Sequence, residues 1–366
     1  MREISDFGLR IADLGFSSFW IFGNNSMDFK DIERAAGASA AGASAAGASI
    51  PIRRDIPILR DKINEVMDEV ETVIIGKREV IKLVLTSILS NGHVLIDDVP
   101  GVGKTTLAKS LAKTLGCSFK RVQFTPDLLP SDVTGTSVFN QKTAEFEFRS
   151  GPIFAQFVLA DEINRATPKT QSSLLECMEE SQVTIDGIAH HLPVPFFVIA
   201  TENSVEYHGT YPLPEAQLDR FMMRISVGYP GSSEESRILD SQTVEHPIMK
   251  ARTILESSEI AQLQRMVAEV YLEPSVRDYI VQVVTATRTH PMVLLGASPR
   301  GSLNLSHAAR SLAAISGRDY VMPDDVKALA VPVLAHRLIL KPESRSHNVT
   351  QAGVVEEILS AAAVPC

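Results

Sequence analysis

Residues 93–115 of this 366-residue chain, HVLIDDVPGVGKTTLAKSLAKTL, carry its clearest structural pattern. The apolar start of this stretch, HVLID (93–97), is typical of a buried strand, and residues 104–115 have the pattern of a helix. The turn PGVGKTT (100–106) joins the two. In such a strand–turn–helix, backbone N–H groups and the helix N-terminus point at phosphate oxygens. The stretch therefore predicts a phosphate-binding loop.

The residue types in this loop suit a nucleoside triphosphate and its magnesium ion. Gly101 and Gly103 let the backbone approach the phosphates, Lys104 reaches the β- and γ-phosphates, and Thr105 binds Mg²⁺. The other loop residues predicted to contact ATP are Pro100, Val102 and Thr106. The pattern G-x-x-x-x-G-K-[ST] is not fully met, because Asp98 stands where the first glycine belongs. A chance Gly-Lys-Thr in a surface turn is the alternative; the strand before it and the helix after it favour the phosphate loop.

An acidic pair ends a later apolar strand, FVLAD (157–161). Asp161, at the end of the strand, can hold the shell of the magnesium ion, and Glu162 can polarise the attacking water. The alternative is a pair of acids that only solvates the strand end. A phosphate loop upstream favours the catalytic interpretation.

Three further polar side chains are candidates for the same chemistry. Asn203 follows the apolar run FFVIA (196–200), where its amide can orient the water, although Asn at a strand end is often only a turn former. Arg220 in LPEAQLDRF and Arg300 in GASPRGS can supply the positive charge that phosphoryl transfer needs. Each would otherwise be an ordinary surface arginine. The predicted catalytic residues are Lys104, Glu162, Asn203, Arg220 and Arg300.

Helices and short apolar strands alternate through residues 50–231. Near-continuous apolar strands with helices between them predict a parallel sheet covered on both faces. Residues 232–366 show helical periodicity and no convincing strand, most clearly in 271–288 and 323–340. We expect an ATPase core at 50–231 and a helical domain at 232–366. The predicted helices of the core are 58–70, 77–90, 104–115 and 168–180, and its strands are 93–97, 118–124, 157–161, 196–200 and 222–227.

These elements, in this order, resemble the AAA+ ATPases, with their Walker A, Walker B, sensor 1, arginine finger and sensor 2. The blocks DDVPGVGKT, LLPSDVTG, FRSGPIF, DEINRATPKTQSSLLECMEE, ATEN, LPEAQLDRF, GASPR and AHRLIL look like those of the MoxR family, over about residues 52–342. The resemblance implies an αβα core and a C-terminal α-helical lid. It makes Arg220 a finger acting in trans, Arg300 the sensor 2 of the lid, and Ile75 and Gly76 part of the adenine pocket. Asp98 departs from the pattern, as does Ser204, where family members often have proline.

The resemblance also implies an assembly and a role. Two β-hairpin insertions are expected, around 138–148 and 182–193, facing the pore or a partner; the alternative is that they only stack on the sheet as structure. A Mg²⁺-dependent ATPase in a hexameric ring is implied, which remodels or matures a protein substrate, with a von Willebrand factor A domain protein as the suggested partner. A nucleotide-dependent scaffold with little turnover is the alternative from another class. Glu162, Asn203 and Arg220 disfavour it, because pure binding needs no positioned water.

Composition limits the other function classes. The chain has 35 basic and 44 acidic residues, a net charge of −9, which argues against general nucleic-acid binding and a DNA motor. Its three cysteines are widely separated, so neither a disulfide framework nor a zinc site is indicated. No apolar run approaches the roughly 20 residues that span a bilayer. A cytoplasmic protein is expected.

The first 49 residues differ from the rest. Residues 37–49 repeat GASAA, which has almost nothing to bury and predicts a linker. Residues 1–36 form an extension before it, with an aromatic-rich stretch at 1–29 that contains the only tryptophan, Trp20. Two origins stay open: an engineered fusion of a partner-derived peptide, or a natural alanine-rich extension.

Overall fold

A computed structural model describes residues 55–203, 209–241, 247–346 and 348–365. The predicted extension (1–36), the linker (37–49) and Ser204 lie outside the described residues. The helices are α1 Ile56–Glu71, α2 Arg78–Leu89, α3 Lys104–Thr114, α4 Pro130–Thr134, α5 Pro168–Glu180, α6 Glu215–Leu218, α7 Ser232–Ser241, α8 Ser257–Ala268, α9 Pro274–Thr289, α10 Pro299–Ile315, α11 Pro323–Leu334, α12 Pro342–Ser346 and α13 Gln351–Ala361. The strands are β1 Val94–Asp97, β2 Phe119–Gln123, β3 Gly135–Asn140, β4 Glu145–Ser150, β5 Phe157–Asp161, β6 Gln182–Ile185, β7 Ile188–His191, β8 Phe197–Glu202, β9 Met223–Ile225, β10 Val293–Leu295 and β11 Ile339–Leu340.

Five strands form a central sheet in the order β2-β5-β8-β1-β9, and every adjacent pair is parallel. The register aligns the carboxyl ends of the strands, with Asp97 beside Glu202 and Gln123 beside Asp161. Because parallel strands have the same direction, the residues that follow them meet at one edge of the sheet. The predicted parallel α/β core is confirmed.

Helices cover both faces of this sheet. Alternate strand residues belong to two hydrophobic clusters: Ile96, Leu159 and Ile199 face α1–α3, whereas Leu95 and Val158 face the layer that contains α5. Strand β5 is buried along its whole length. Burial on both faces explains why the strands read as continuous apolar runs rather than as alternating patterns.

The C-terminal region is helical, as predicted, and its core is continuous with the cluster on the α1–α3 face. It differs from the prediction in one detail, because β10 and β11 pair as a short antiparallel ribbon. Strands of three and two residues are too short to show a period of two. The predicted helix at 323–340 ends at Leu334, and a 3₁₀ turn, Ala335–Arg337, leads into β11. Pro332 precedes this end and lacks the N–H of a regular helical bond.

Two antiparallel hairpins lie at the predicted insertions, β3–β4 and β6–β7. The turn of the second is Asp186-Gly187, and both residues have the positive φ that a two-residue hairpin turn requires. The rings of Phe148 and His190 stack with centroids 4.1 Å apart, so the hairpins contact each other. At the end of the first hairpin, Phe146 is 74% exposed.

In the part of the chain that the structure describes, no helix combines the length and the apolar character needed to cross a membrane.

Candidate active site

The loop after β1 has the backbone of a phosphate cradle. Gly101 and Gly103 have φ of +86° and +90°, and a Cβ atom on either would meet no heavy atom within 4 Å. The space above both glycines is therefore open to a ligand. Helix α3 begins at Lys104, directly after Gly103. The unpaired N–H groups of its first turn are available to an anion.

A cavity of about 330 Å³ lies against this loop. The cavity lies where three parallel strands end. The phosphate loop follows β1, Asp161 and Glu162 stand at the end of β5, and Asn203 follows β8. Its lining residues are Pro100, Gly101, Gly103, Lys104, Thr105, Thr106, Asp161, Glu162 and Asn203. Among the described residues, the predicted positions that do not line it are Val102, Ile75, Gly76, Arg220 and Arg300.

Lys104 lines the cavity, and two backbone carbonyls hold its ammonium group. Its Nζ donates to the carbonyl oxygen of Asp98 at 2.6 Å and to that of Glu202 at 2.9 Å. Burial lowers the pKa of Lys104, although nearby carboxylates oppose this effect. A phosphate in the loop would offer this ammonium group a charged partner in place of neutral carbonyls.

Asp161 accepts hydrogen bonds on both carboxylate oxygens. Thr201 donates to Oδ1 at 2.6 Å, and the hydroxyl of Thr105 lies 3.4 Å from Oδ2. The guanidinium of Arg121 contacts the same Oδ2, with Nε at 2.9 Å and Nη2 at 2.6 Å. Arg121 is on the edge strand β2, and it belongs to none of the sequence motifs that predicted the site.

Glu162 is fixed in a left-handed backbone conformation, with φ of +57°. Its N–H donates to the hydroxyl of Thr201 at 2.8 Å. Its Oε2 accepts from the amide of Gln123 at 2.7 Å and from Arg165 at 2.8 Å. Gln123 is also on β2, two residues after Arg121, and the two side chains contact each other at 2.5 Å. The strand therefore contacts both members of the acidic pair. The available signal was the two-residue spacing of polar side chains along β2.

The chemistry of this donor set fits ATP and Mg²⁺. The glycine cradle and Lys104 match a polyphosphate, and the oxygens of Thr105 and Asp161 are of the kind that Mg²⁺ prefers. The second carboxylate, Glu162, lines the same cavity as Asn203. A carboxylate and an amide can together bind and orient a water molecule.

Arg220 and Arg300 lie together, away from this cavity. Both contact Glu179, Arg220 through Nε at 3.3 Å and Arg300 through Nη2 at 2.5 Å. Arg300 also lies 3.9 Å from Asp219. We call Arg220, Arg300, Glu179 and Asp219 the arginine cluster.

Arg337 holds the backbone around Arg220. Its side chain is 1% exposed, and its Nε donates to Asp219 Oδ1 at 2.7 Å. Its Nη2 donates to the carbonyl oxygens of Asp219 at 3.1 Å and Phe221 at 2.6 Å. Burial lowers the pKa of Arg337 to about 10, an effect that Asp219 opposes, so it stays charged at neutral pH. A residue of the C-terminal helical region thus fixes the turn that carries Arg220.

The arginine cluster lies near the amino ends of the strands, whereas the phosphate loop lies at their carboxyl ends. Arg220 precedes β9, and the N–H of Met222 bonds to the carbonyl of His93, just before β1. The ring of His93 also contacts the carbonyl of Met178, next to Glu179. The cluster therefore lies near the amino ends of the parallel strands, where the last turn of α5 meets β1 and β9. The phosphate loop follows the carboxyl end of β1, and a four-residue strand is about 13 Å long.

The predicted adenine-pocket segment lies against the start of the C-terminal region. Ile75 is buried, and a Cβ atom on Gly76 would overlap the side chain of Glu234. Lys77 donates to the carbonyl of Tyr229 at 2.9 Å. The segment contacts the chain where β9 leads into α7.

Two family descriptions match this chain. Residues 93–223 match the ATPase family associated with various cellular activities (AAA), and residues 285–358 match the AAA lid domain. The first range contains the phosphate loop, the acidic pair and Arg220. The second contains Arg300 and Arg337.

The similarity to several known proteins covers most of the chain. YeaC of Bacillus subtilis (strain 168) is 51% identical over 307 residues, which are 84% of this chain and 96% of YeaC. Chaperone MoxR1 of Mycobacterium tuberculosis is 43% identical over 306 residues, 81% of each chain. Protein MoxR of Paracoccus denitrificans is 33% identical, over 74% of this chain and 86% of that protein. A crystal structure from Cytophaga hutchinsonii matches with a TM-score of 0.80 and 40% identity, covering 85% of this chain and 97% of that one.

Proposed function

Because this chain belongs to the MoxR family of AAA+ ATPases, we propose that it hydrolyses ATP with Mg²⁺ at the subunit interfaces of a ring and uses the cycle to remodel a protein partner. One observation supports this most: a single cavity combines the glycine cradle, Lys104, the acidic pair and Asn203, while Arg220 and Arg300 lie at the opposite edge of the sheet. One subunit alone thus presents an incomplete charge set for phosphoryl transfer.

The residues of the cavity have distinct roles. Lys104 binds the β- and γ-phosphates, and Glu162 accepts the proton of the attacking water that Asn203 orients. Thr105 and Asp161 would hold Mg²⁺, which neutralises charge on the phosphate oxygens when bound. Thr201 positions the acidic pair, since its hydroxyl donates to Asp161 and accepts the N–H of Glu162.

Arg220 acts on the ATP of a neighbouring subunit. Arg220 precedes β9, so the length of the strands separates it from the phosphate loop of its own subunit. It can therefore contribute to an ATP site only by extending into a neighbouring subunit. Arg300 contacts Glu179 as Arg220 does, and we therefore assign it to the same subunit interface. Closed rings arise when such head-to-tail contacts repeat, and the family resemblance suggests six subunits.

The proposal that the chain remodels a protein partner is supported by the name of one relative and by the hairpins. One relative is named Chaperone MoxR1, and the exposed Phe146 offers an aromatic contact at the end of the first hairpin. A protein with a von Willebrand factor A domain is the partner that the resemblance suggests.

A mixing experiment tests the proposal. Arg220→Ala should bind ATP but not hydrolyse it, and Lys104→Ala should fail to bind ATP. Mixed subunits should recover turnover, because a Lys104→Ala subunit donates its intact Arg220 to the functional loop of an Arg220→Ala neighbour. Wild-type protein that assembles without turnover would support the scaffold instead, and a mixture with no recovery would refute the trans role.

A further inference from the structure

Asp98, which replaces the first glycine of the phosphate-loop pattern, has a structural partner far along the chain. Its side chain is buried, and Oδ2 accepts three hydrogen bonds from one short segment: the hydroxyl of Ser226 at 2.8 Å, the N–H of Val227 at 2.7 Å and the N–H of Gly228 at 2.6 Å. Oδ1 accepts the N–H of Val99 at 2.8 Å. Glycine at this position could make none of these side-chain contacts.

The segment that Asp98 holds connects the sheet to the helical lid. Residues 226–231, which we call the hinge segment, run from the end of β9 to the start of α7. Gly228 has φ of +66°, a conformation that favours glycine, and marks a change in chain direction. The orientation of the chain as it enters the lid is thus set partly by one carboxylate of the phosphate loop.

The charge of Asp98 suits this role. Burial raises its pKa, but the hydrogen bonds from Gly228, Ser226, Val99 and Val227 outweigh burial and hold the pKa below its ordinary value. The carboxylate is therefore ionised at neutral pH. Two consecutive N–H groups directed at one anionic oxygen form a strong and directional contact.

The same residue also contacts the lysine that binds phosphate. The backbone carbonyl of Asp98 accepts from Lys104 Nζ at 2.6 Å, whereas its side chain binds the hinge segment. When a triphosphate draws Lys104 toward its oxygens, the carbonyl of Asp98 loses this donor. Asp98 therefore lies between the group that responds to the nucleotide and the segment that leads to the lid.

We propose that Asp98 is a positioning residue that couples phosphate binding in the loop to the orientation of the helical lid through the hinge segment. The inference rests on the proposed function in one respect, that the loop binds ATP. This role explains why an acidic residue can stand where the pattern has its first glycine. The backbone there does not need glycine, and the side chain positions the hinge segment.

The test compares Asp98→Asn, Asp98→Gly and a matched control, Asp97→Asn. Asparagine preserves the shape of the side chain, and glycine restores the formal pattern. Asp97 is the adjacent carboxylate and pairs with Arg224 rather than with the hinge segment. The full chain is studied with and without a non-hydrolysable ATP analogue and Mg²⁺. Two quantities are measured: analogue affinity, and hydrogen exchange of peptides that cover 226–231 and the lid.

In the wild type and in Asp97→Asn, analogue binding should change the exchange of the hinge segment and of the lid. Both Asp98 variants should bind the analogue within about threefold of wild type and exchange at 226–231 about tenfold faster without it, because charged hydrogen bonds are lost. Their lid exchange should no longer respond to the analogue. A normal lid response in Asp98→Asn would overturn the coupling even if basal exchange rises. A wild type that binds no analogue would refute the proposed function, and the coupling with it.

Discussion

The pH dependence of folding stability should depend strongly on His93. Its ring is buried between the sheet and α5, where Nδ1 accepts the N–H of Val198 and Nε2 contacts the carbonyl of Met178, both at 3.1 Å. These contacts need the neutral ring with its proton on Nε2. Burial lowers the pKa of His93 to about 4, although the contact with Met178 opposes the shift.

The sign follows from the two states. An unfolded histidine titrates near 6.5, so unfolding takes up a proton wherever the pH lies between about 6.5 and 4. The stabilising effect of the neutral ring is full above pH 6.5 and is lost as the pH falls through this window. Between pH 7 and pH 5 the linkage amounts to about 2 kcal/mol for this one group.

Urea unfolding of the wild type and of His93→Gln at pH 7 and pH 5 measures this effect. Glutamine can accept from Val198 and donate to Met178 without titrating. The free energy of unfolding of the wild type should fall by about 2 kcal/mol more than that of the variant. Other groups, including the buried His336, titrate in both proteins and cancel in the comparison. Equal losses in the two proteins would refute the reasoning.

Three further perturbations test the site. Arg337→Met should lower the free energy of unfolding, measured by urea denaturation, by about 3 kcal/mol, because Asp219 loses its buried cationic partner. Adding Asp219→Asn should recover part of this loss. Glu162→Gln should bind ATP normally and lose at least about 10²-fold in turnover, and a near-normal steady-state rate would contradict its role as the base. Arg121→Gln should lower the Mg²⁺ concentration for half-maximal nucleotide binding about threefold, because the exposed guanidinium no longer occupies Asp161 Oδ2; an unchanged titration would exclude this competition.

The sequence predicted the positions of those candidate site residues that directly follow a strand. The phosphate loop, the acidic pair and Asn203 each follow an apolar strand, and parallel strands bring such positions to one edge. The role of Asp98 could not be predicted, because its partner Gly228 lies 130 positions later and binds through backbone N–H groups that have no sequence signature. Arg337 was also missed, since a buried arginine in a helical pattern looks like a surface residue until its acceptors are known.

Two sets of hydrogen bonds within one subunit, those of Asp98 and those of Arg337, connect the phosphate loop with the turn that carries Arg220. Asp98 links the phosphate loop to the hinge segment, and the hinge segment leads into the helical region that carries Arg300 and Arg337. Arg337 in turn holds the backbone on both sides of Arg220. If the lid shifts when nucleotide binds, Arg337 and Arg300 shift with it, and Arg220 cannot keep its place unless Asp219 moves too. In the ring proposed above, a subunit that binds ATP would therefore shift the Arg220 that it presents to its neighbour, and each site would respond to the nucleotide state of the next.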